Sequence, residues 1–284
     1  FDLREALLVR LEAENGEIGW GETWSAPEIC GAVIRASLAA CVVGADALAP
    51  VALWRAMDAK RGFDRRGVTT MAISAIDIAA WDLAGRLHGE PVWRLAGGRL
   101  RERVPAYASG PFLRQGGDPY DGFAAETESY LRQGFRAVKP RAGTTPQRDG
   151  AAMRALRSVC GPDIVLLADL NIGFTADGAA RIAEAMAPAN LLWLEEPVPP
   201  EDLAGFRALG SAPMAIAAGE HLIGLAAFQE SLAAGLLDIV QPDIALTGGL
   251  TEAFRIAALV DAYNLPLCPH VWGSCCLLYT SDAA

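Results

Sequence analysis

Ile164-Val-Leu-Leu-Ala-Asp169 and Leu191-Leu-Trp-Leu-Glu195 are two short apolar runs, and each of them ends in an acidic residue. The segment between them, near 176–187, has the spacing of an amphipathic helix. A strand, a helix and a second strand in this order form the repeating unit of a parallel sheet, because a parallel connection needs a crossover. This stretch therefore predicts an α/β fold.

The same alternation extends on both sides of this unit. The predicted strands are 104–109, 137–139, 164–169, 191–195, 215–218, 239–242 and 265–269, and the predicted helices lie near 120–133, 147–159, 176–187, 201–209, 224–234 and 250–262. A repeat of roughly 25–30 residues fits a (β/α)₈ TIM barrel whose last unit is missing. An open doubly wound sheet is the alternative, but no GxGxxG motif follows a strand, and polar residues recur at every strand end.

A different pattern precedes the barrel. Asn15-Gly16 is a tight-turn signal between two strand-like runs, 5–11 and 18–24. Helical stretches follow near 28–42, 50–60 and 69–88. We therefore predict a small N-terminal α+β domain over residues 1–100 and a barrel domain over residues 101–275.

Both ends of the chain look cut. The chain opens at Phe1 inside a strand-like run, and Cys276-Leu-Leu-Tyr-Thr-Ser-Asp-Ala-Ala284 resembles a sequencing adaptor read in frame. We interpret both domains as incomplete and residues 276–284 as a non-native tail. A barrel without its last strand exposes two sheet edges, so we expect the polypeptide as written to be insoluble or inactive.

The amino-acid composition argues against some classes of binding partner. The 284 residues are 52% hydrophobic, and 24 basic against 34 acidic residues give a net charge of −10, which disfavours nucleic acid and anionic membranes as partners. No basic leader and no apolar run long enough to span a bilayer is present. The six cysteines have no CxxC pair and indicate reduced thiols in a cytoplasmic protein.

Acidic residues end three successive predicted strands: Asp169, Glu195 and Glu220. A TIM barrel carries its catalytic and ligand-binding residues at the C-terminal ends of its strands. Three carboxylates in one mouth would repel each other at low dielectric unless a cation bound them, and their hard oxygens suit Mg²⁺, with Mn²⁺ as an alternative. The structural alternative is that each carboxylate caps the following helix.

Two motifs carry a resemblance to a known family. Ala72-Ile-Ser-Ala-Ile-Asp-Ile-Ala-Ala-Trp-Asp-Leu-Ala-Gly85 resembles the N-terminal signature of the mandelate racemase/muconate lactonizing enzyme branch of the enolase superfamily. Asp169-Leu-Asn171, followed by Trp193-Leu-Glu-Glu-Pro197, resembles its second signature. The resemblance implies a TIM barrel with an N-terminal capping domain. It also implies Mg²⁺-dependent removal of a proton next to a carboxylate.

The resemblance assigns the Mg²⁺ to Asp169, Glu195 and Glu220. It places Glu196 and Asn171 behind these ligands, where they would orient them.

The resemblance also implies the catalytic groups. Lys139 and position 141 match the K-x-K motif of the family, and Asp243 and His270 match its Asp–His dyad. His270 can act as a base near neutral pH, with Asp243 holding its tautomer. Arg141 departs from the motif, since a guanidinium stays protonated and is suited to binding a carboxylate or hydroxyl. With one base, β-elimination of water or a ring-opening or ring-closing isomerisation is expected rather than racemisation.

Two short strings point to the substrate class. Glu195-Glu-Pro-Val-Pro-Pro200 and Pro269-His-Val-Trp-Gly273 resemble members that act on sugar acids, including galactarolactone cycloisomerase-like proteins and acid-sugar dehydratases. Trp272 is expected near the barrel mouth, and His221 next to a ligand and within reach of the substrate. The expected partner is a small carboxylate, and we expect a homo-oligomer at full length.

Three other functions stay open. A racemase or epimerase of hydroxy or acylamino acids is one alternative. A metal-dependent hydrolase is a second, although it would need His-rich ligands and the chain has three histidines. A non-catalytic or inactive barrel fragment is the third.

Overall fold

The computed structural model describes residues 5–273. These residues fall into two compact units. The first unit contains the described residues up to Glu102, Gly219–Glu230, and the described residues from Val240 onward; the second contains Arg103–Ala218 and Ser231–Ile239. The predicted boundaries near residues 100 and 275 stay predictions, and the predicted tail lies outside the described residues.

The described residues form nine strands and twelve α-helices. The strands are β1 (Leu7–Glu12), β2 (Ile18–Thr23), β3 (Ala108–Ser109), β4 (Ala137–Lys139), β5 (Val165–Leu166), β6 (Ala168–Asp169), β7 (Trp193–Glu195), β8 (Ala215–Ala218) and β9 (Ile239–Val240). The helices are α1 (Pro27–Val33), α2 (Ala39–Val42), α3 (Pro50–Asp58), α4 (Val68–His88), α5 (Val92–Leu95), α6 (Phe123–Arg132), α7 (Pro146–Cys160), α8 (Ala176–Met186), α9 (Leu203–Ala208), α10 (Leu225–Ala233), α11 (Ile244–Thr247) and α12 (Gly249–Ala262). A π-helical turn (Ile34–Leu38) separates α1 from α2.

The second unit contains parallel strands that pair in the order of the chain. β3 pairs with β4 and β4 with β5, while β6 pairs with β7 and β7 with β8, all in parallel. A parallel bridge between Arg141 and Asp169 pairs the end of β6 with the residues that follow β4. An order without reversal is that of a (β/α) barrel, whereas a doubly wound sheet reverses direction at a switch point.

Several strands are shorter than the sequence predicts. Regular pairing covers Ala108–Ser109 of the predicted strand 104–109. The predicted strand 164–169 is divided at Leu167, because its first half pairs with β4 and its second half with β7. The predicted strand 265–269 is represented by isolated bridges of Leu267 with Val240 and of His270 with Asp243.

The hairpin β1–β2 lies directly on α4 in the first unit. A Cβ on Gly21 would stand 2.2 Å from the Ala75 carbonyl oxygen and 2.5 Å from the Ala79 nitrogen. A Cβ on Gly19 would stand 2.3 Å from the Ala79 carbonyl oxygen. The backbone of β2 therefore packs against the backbone of α4, and these two strand positions leave no room for a side chain.

The prediction that no apolar run is long enough to span a bilayer is wrong by length and composition, because α4 meets both criteria. Most of its apolar window, 78%, is buried inside the structure, which is the arrangement of a core helix. Ile73 and Ile76 pack in one buried cluster with Trp54, and Ile78 packs in a second cluster with Ile244. Both clusters lie within the first unit.

Polar groups of α4 also hold the start of α12. Ser74 Oγ accepts the Gly248 amide at 2.8 Å, and Asp77 Oδ2 accepts the Thr251 amide at 2.8 Å. Asp77 Oδ1 accepts the Thr251 hydroxyl at 2.7 Å. The first amides of a helix have no partner within the helix, so a buried carboxylate from a neighbouring helix satisfies them.

Asp77 makes stability depend on pH, and we expect Asp77→Ala to be more destabilising at pH 5 than at pH 7. Burial raises the pKa of Asp77 from 3.8 to about 7, the hydrogen bonds from Thr251 oppose this increase, and the charge of Glu252 adds to it. Because the pKa of Asp77 is higher in the folded protein, the folded state keeps a proton on this carboxyl between pH 3.8 and pH 7, where the unfolded chain releases it. The stability linked to this proton is fully present below pH 3.8 and is lost as the pH rises through 7. Urea unfolding should show the stability gap between wild type and variant narrowing by about 2 kcal/mol from pH 5 to pH 7. Exposed Asp121→Ala is the control, and a constant gap for Asp77→Ala would contradict the prediction.

The four described cysteines are free thiols. Cys30 is buried, while Cys41, Cys160 and Cys268 are partly exposed. Burial raises the pKa of Cys30 to about 11. Cys275 and Cys276 lie outside the described residues.

Candidate active site

Two buried carboxylates end neighbouring strands of the second unit. Asp169 is the last residue of β6, Glu195 is the last residue of β7, and the two are register partners. Each is 1% exposed. Register partners on parallel strands point to the same face, so the predicted ligand pair is brought together at one sheet edge.

Lys139 lies between these two carboxylates. Its Nζ is 3.3 Å from Asp169 Oδ2 and in direct contact with Glu195 Oε1. Burial alone would lower the pKa of Lys139, but the charges of Glu195 and Asp169 outweigh it and raise the pKa. The Nζ also lies 5.2 Å from the centre of the Tyr107 ring. Lys139 is therefore a buried cation that is paired with both carboxylates.

The orientation of Glu195 is fixed by a tryptophan on its own strand. Trp193 Nε1 donates to Glu195 Oε2 at 3.0 Å. Residues two apart on a strand share a face, which puts the indole beside the carboxylate. The Trp193 ring in turn meets the edge of Tyr107 at 5.7 Å between centroids.

Arg141 is paired with a predicted metal ligand. Its Nη1 lies 2.5 Å from Asp169 Oδ2, and its guanidinium lies 5.9 Å from the centre of the Phe112 ring. A guanidinium has five N–H donors, so this pairing still allows the substrate-binding role that the sequence predicts. That role stays a prediction.

The loops after β6 and β7 adopt left-handed backbone conformations. The φ angles of Asn171, Ile172 and Glu196 are 46°, 56° and 40°. Such angles are costly for a branched residue such as Ile172 and cluster at functional sites. Asn171 supports Asp169 through its backbone, since its amide donates to Asp169 Oδ1 at 2.8 Å. Glu196 is 2% exposed, and its carbonyl accepts the Ile172 amide at 2.7 Å.

The first unit holds the predicted Asp–His dyad. Asp243 Oδ2 lies 2.7 Å from His270 Nδ1, and His270 Nε2 lies 2.9 Å from Glu220 Oε2. All three side chains are buried. Burial alone would lower the pKa of His270, but the hydrogen bonds to Asp243 and Glu220 raise it to about 10. The dyad and the third predicted ligand therefore form one hydrogen-bonded chain.

The carboxylate of Asp243 is held by three donors. Oδ1 accepts the Ala245 amide at 2.8 Å and so caps α11. Oδ2 accepts Trp24 Nε1 at 2.9 Å in addition to facing His270. Trp24 was not among the site residues that the sequence indicated. Its signal was its position directly after β2, at the end of a predicted strand.

The remaining predicted residues belong to the first unit. His221 Nδ1 lies 3.7 Å from Glu220 Oε1, and Trp272 is partly buried. The predicted ligands are thus divided between the units, with Asp169 and Glu195 in the second and Glu220 in the first. That the three carboxylates share one ion stays a prediction.

Comparison with known families identifies the chain. The mandelate racemase / muconate lactonizing enzyme N-terminal domain matches residues 3–97, and the enolase C-terminal domain-like family matches residues 122–283. The chain belongs to the enolase superfamily, in its mandelate racemase/muconate lactonizing enzyme branch. The fold of this branch, a TIM-type (β/α) barrel with an N-terminal α+β capping domain, agrees with the parallel strands and the hairpin–helix segment described above.

Relatives within the enolase superfamily are enzymes named for sugar acids. D-galactarolactone cycloisomerase of Agrobacterium fabrum is 36% identical over 276 residues, which cover 96% of this chain and 73% of that protein. 3,6-anhydro-alpha-L-galactonate cycloisomerase of Streptomyces coelicolor is 37% identical over 272 residues, which cover 94% and 74%. A solved racemase from Streptomyces coelicolor A3(2), with bound magnesium, is 35% identical with a TM-score of 0.91, and the match covers 98% of this chain and 77% of that one.

Proposed function

We propose that this protein is a Mg²⁺-dependent enzyme that removes the proton next to the carboxylate of a sugar acid or its lactone. Loss of a β-oxygen would then give dehydration or cycloisomerisation. The His270–Asp243 dyad is the observation that carries the proposal, because a buried imidazole held through Nδ1 by a carboxylate can take up a proton at Nε2, the nitrogen that faces Glu220. The cycloisomerase relatives support the substrate class.

The donor set fits a hard divalent cation. Asp169 and Glu195 offer buried carboxylate oxygens at adjacent strand ends, and Glu220 is the proposed third ligand. When bound there, a divalent cation would supply positive charge that both lowers the proton affinity of His270 Nε2 and offsets the charge developing on the substrate carboxylate. Asn171 and Trp193 hold Asp169 and Glu195 in place for this role.

Arg141 argues against a two-base racemase. A guanidinium stays protonated in proteins, so Arg141 cannot take a proton from the α-carbon. Lys139 is a buried cation that contacts Asp169 and Glu195. We therefore assign Lys139 and Arg141 to charge balance and to binding of the substrate, and His270 to the single base.

One β-elimination accounts for both proposed outcomes. His270 Nε2 takes the α-proton, the electron pair forms the new carbon–carbon double bond, and the bond from the β-carbon to oxygen breaks. The departing oxygen takes up a proton, and the enol becomes a 2-keto acid. Where that oxygen is a free hydroxyl, water is lost; where it belongs to a ring, the ring opens and the product is an isomer.

Deuterium exchange tests the proposed function. A full-length protein carrying this sequence is incubated with Mg²⁺ in D₂O and a panel of aldaric acids, aldonic acids and their lactones. We expect deuterium at the β-carbon of a 2-keto product from at least one substrate, because the enol takes up its proton there, together with exchange at the α-carbon of recovered substrate. Both should be lost when EDTA removes the metal. Binding without exchange across the panel, or hydrolysis alone, would contradict the proposal.

We also propose that the full-length protein is a cytoplasmic homo-oligomer that does not bind nucleic acid or membranes. The net charge of −10 supports the exclusion of polyanionic partners. The free thiols of the described cysteines agree with a reducing compartment.

A further inference from the structure

We infer that Trp24 is a positioning residue that acts on the base through Asp243. This inference rests on the proposed function, because it needs His270 to be the base. Trp24 follows the last residue of β2, far in sequence from the dyad. Its indole nonetheless donates to Asp243 Oδ2 at 2.9 Å, the same oxygen that faces His270 Nδ1 at 2.7 Å.

The hydrogen bond from the Trp24 indole fixes the orientation of the Asp243 carboxylate. Asp243 is completely buried, and Oδ1 is already bound to the Ala245 amide. The remaining freedom of the carboxylate is the position of Oδ2, which the indole N–H and the imidazole share. Without the indole, Asp243 Oδ2 would keep only the imidazole of His270 as a partner. The carboxylate and the imidazole could then tilt together, and the direction of His270 Nε2 would no longer be fixed.

Packing fixes Trp24 itself. The ring lies against the buried cluster that contains Ile244 and Ala245, the residues directly after Asp243. It also contacts His270, with ring centroids 6.3 Å apart and planes at 56°. The donor ring is thus packed against the residues that directly follow the acceptor, and the hydrogen bond costs little further ordering.

Trp24→Phe tests the inference, since it keeps an aromatic ring and removes the N–H. We expect kcat for α-proton exchange to fall about 10- to 100-fold while KM changes less than about twofold. Trp81→Phe is the matched control, because Trp81 is equally half-buried and donates its indole N–H to Thr251 Oγ1 at 2.9 Å. That variant should lose a similar amount of thermal stability and keep kcat within about twofold.

A double-mutant cycle shows whether the effect passes through Asp243. In an Asp243→Asn background, Trp24→Phe should lower the exchange rate by less than about threefold, because the shared carboxylate is already gone. Equal effects in both backgrounds, a rise in KM with unchanged kcat, or wild-type kcat in Trp24→Phe would each overturn the inference. Absence of exchange in the wild-type protein would instead overturn the proposed function.

Discussion

His270→Asn is expected to lower the rate of α-proton exchange about 100- to 10,000-fold at saturating Mg²⁺. Asparagine occupies a similar place and can still bond to Asp243, but it cannot accept a proton from carbon. The dyad is buried and joined to Glu220 by a 2.9 Å contact, so the substitution removes the proposed base from an enclosed site. Deuterium wash-in by mass spectrometry measures the rate directly.

A control variant separates loss of the base from loss of the fold. His88 ends α4, is exposed, and lies outside the proposed site, so His88→Asn should keep exchange within about twofold. His270→Asn should retain a cooperative thermal transition. Near-wild-type exchange in a folded His270→Asn protein would refute the assignment of the base.

Lys139→Met is expected to destabilise the metal-free protein by about 3–5 kcal/mol. The side chain is 3% exposed and contacts both Asp169 and Glu195, so its removal leaves two buried carboxylates with Arg141 as the remaining described cation bonded to one of them. Urea unfolding in EDTA measures the loss. Saturating Mg²⁺ should restore part of it, because the ion replaces the missing positive charge.

The chain contains two lysines, which makes the control simple. Lys60 is exposed after α3, and Lys60→Met should change stability by less than about 0.5 kcal/mol with or without Mg²⁺. A Lys139→Met protein that unfolds like wild type in EDTA would show that the two carboxylates do not need this cation. A loss that Mg²⁺ leaves unchanged would show that the carboxylate pair does not take up the metal.

Periodicity was sufficient to predict the long elements of the fold. The helix predicted over 69–88 is α4 (Val68–His88), and the strands predicted over 137–139 and 215–218 are β4 and β8. Their apolar runs are buried on one or both sides, which is the feature that a sequence pattern reports. Short helices such as α5 and α11 were not predicted, because four residues carry too little periodic signal.

The strand ends predicted part of the site. Alternation placed Asp169 and Glu195 at equivalent positions on adjacent strands, and the structure pairs them in register. The pairing of Arg141 with Asp169 could not be read from spacing, because it depends on the rotamer of a long side chain. The left-handed turn at Ile172 was equally hidden, since a branched residue is a poor signal for that backbone.

Trp24 shows that a sequence pattern does not report a hydrogen bond between residues far apart in the chain. Its partner lies 219 positions along the chain, and no local pattern reports an indole that donates to a carboxylate at that distance. The family resemblance supplied Asp243 and His270, but a third group enters from a different sequence domain. Residues that act on a site from a distant part of the sequence are found from the three-dimensional structure and not from sequence periodicity.

The backbone of β2 lies on α4, and α4 also anchors the amides of Gly248 and Thr251 just beyond α11. The strand that leads to Trp24 and the start of α12, shortly after Asp243, are therefore both held by α4. A small displacement of α4 would move donor and acceptor together and would leave the distance between Trp24 Nε1 and Asp243 Oδ2 nearly unchanged. Tolerance of this kind depends on two glycines whose only contribution is the absence of a side chain.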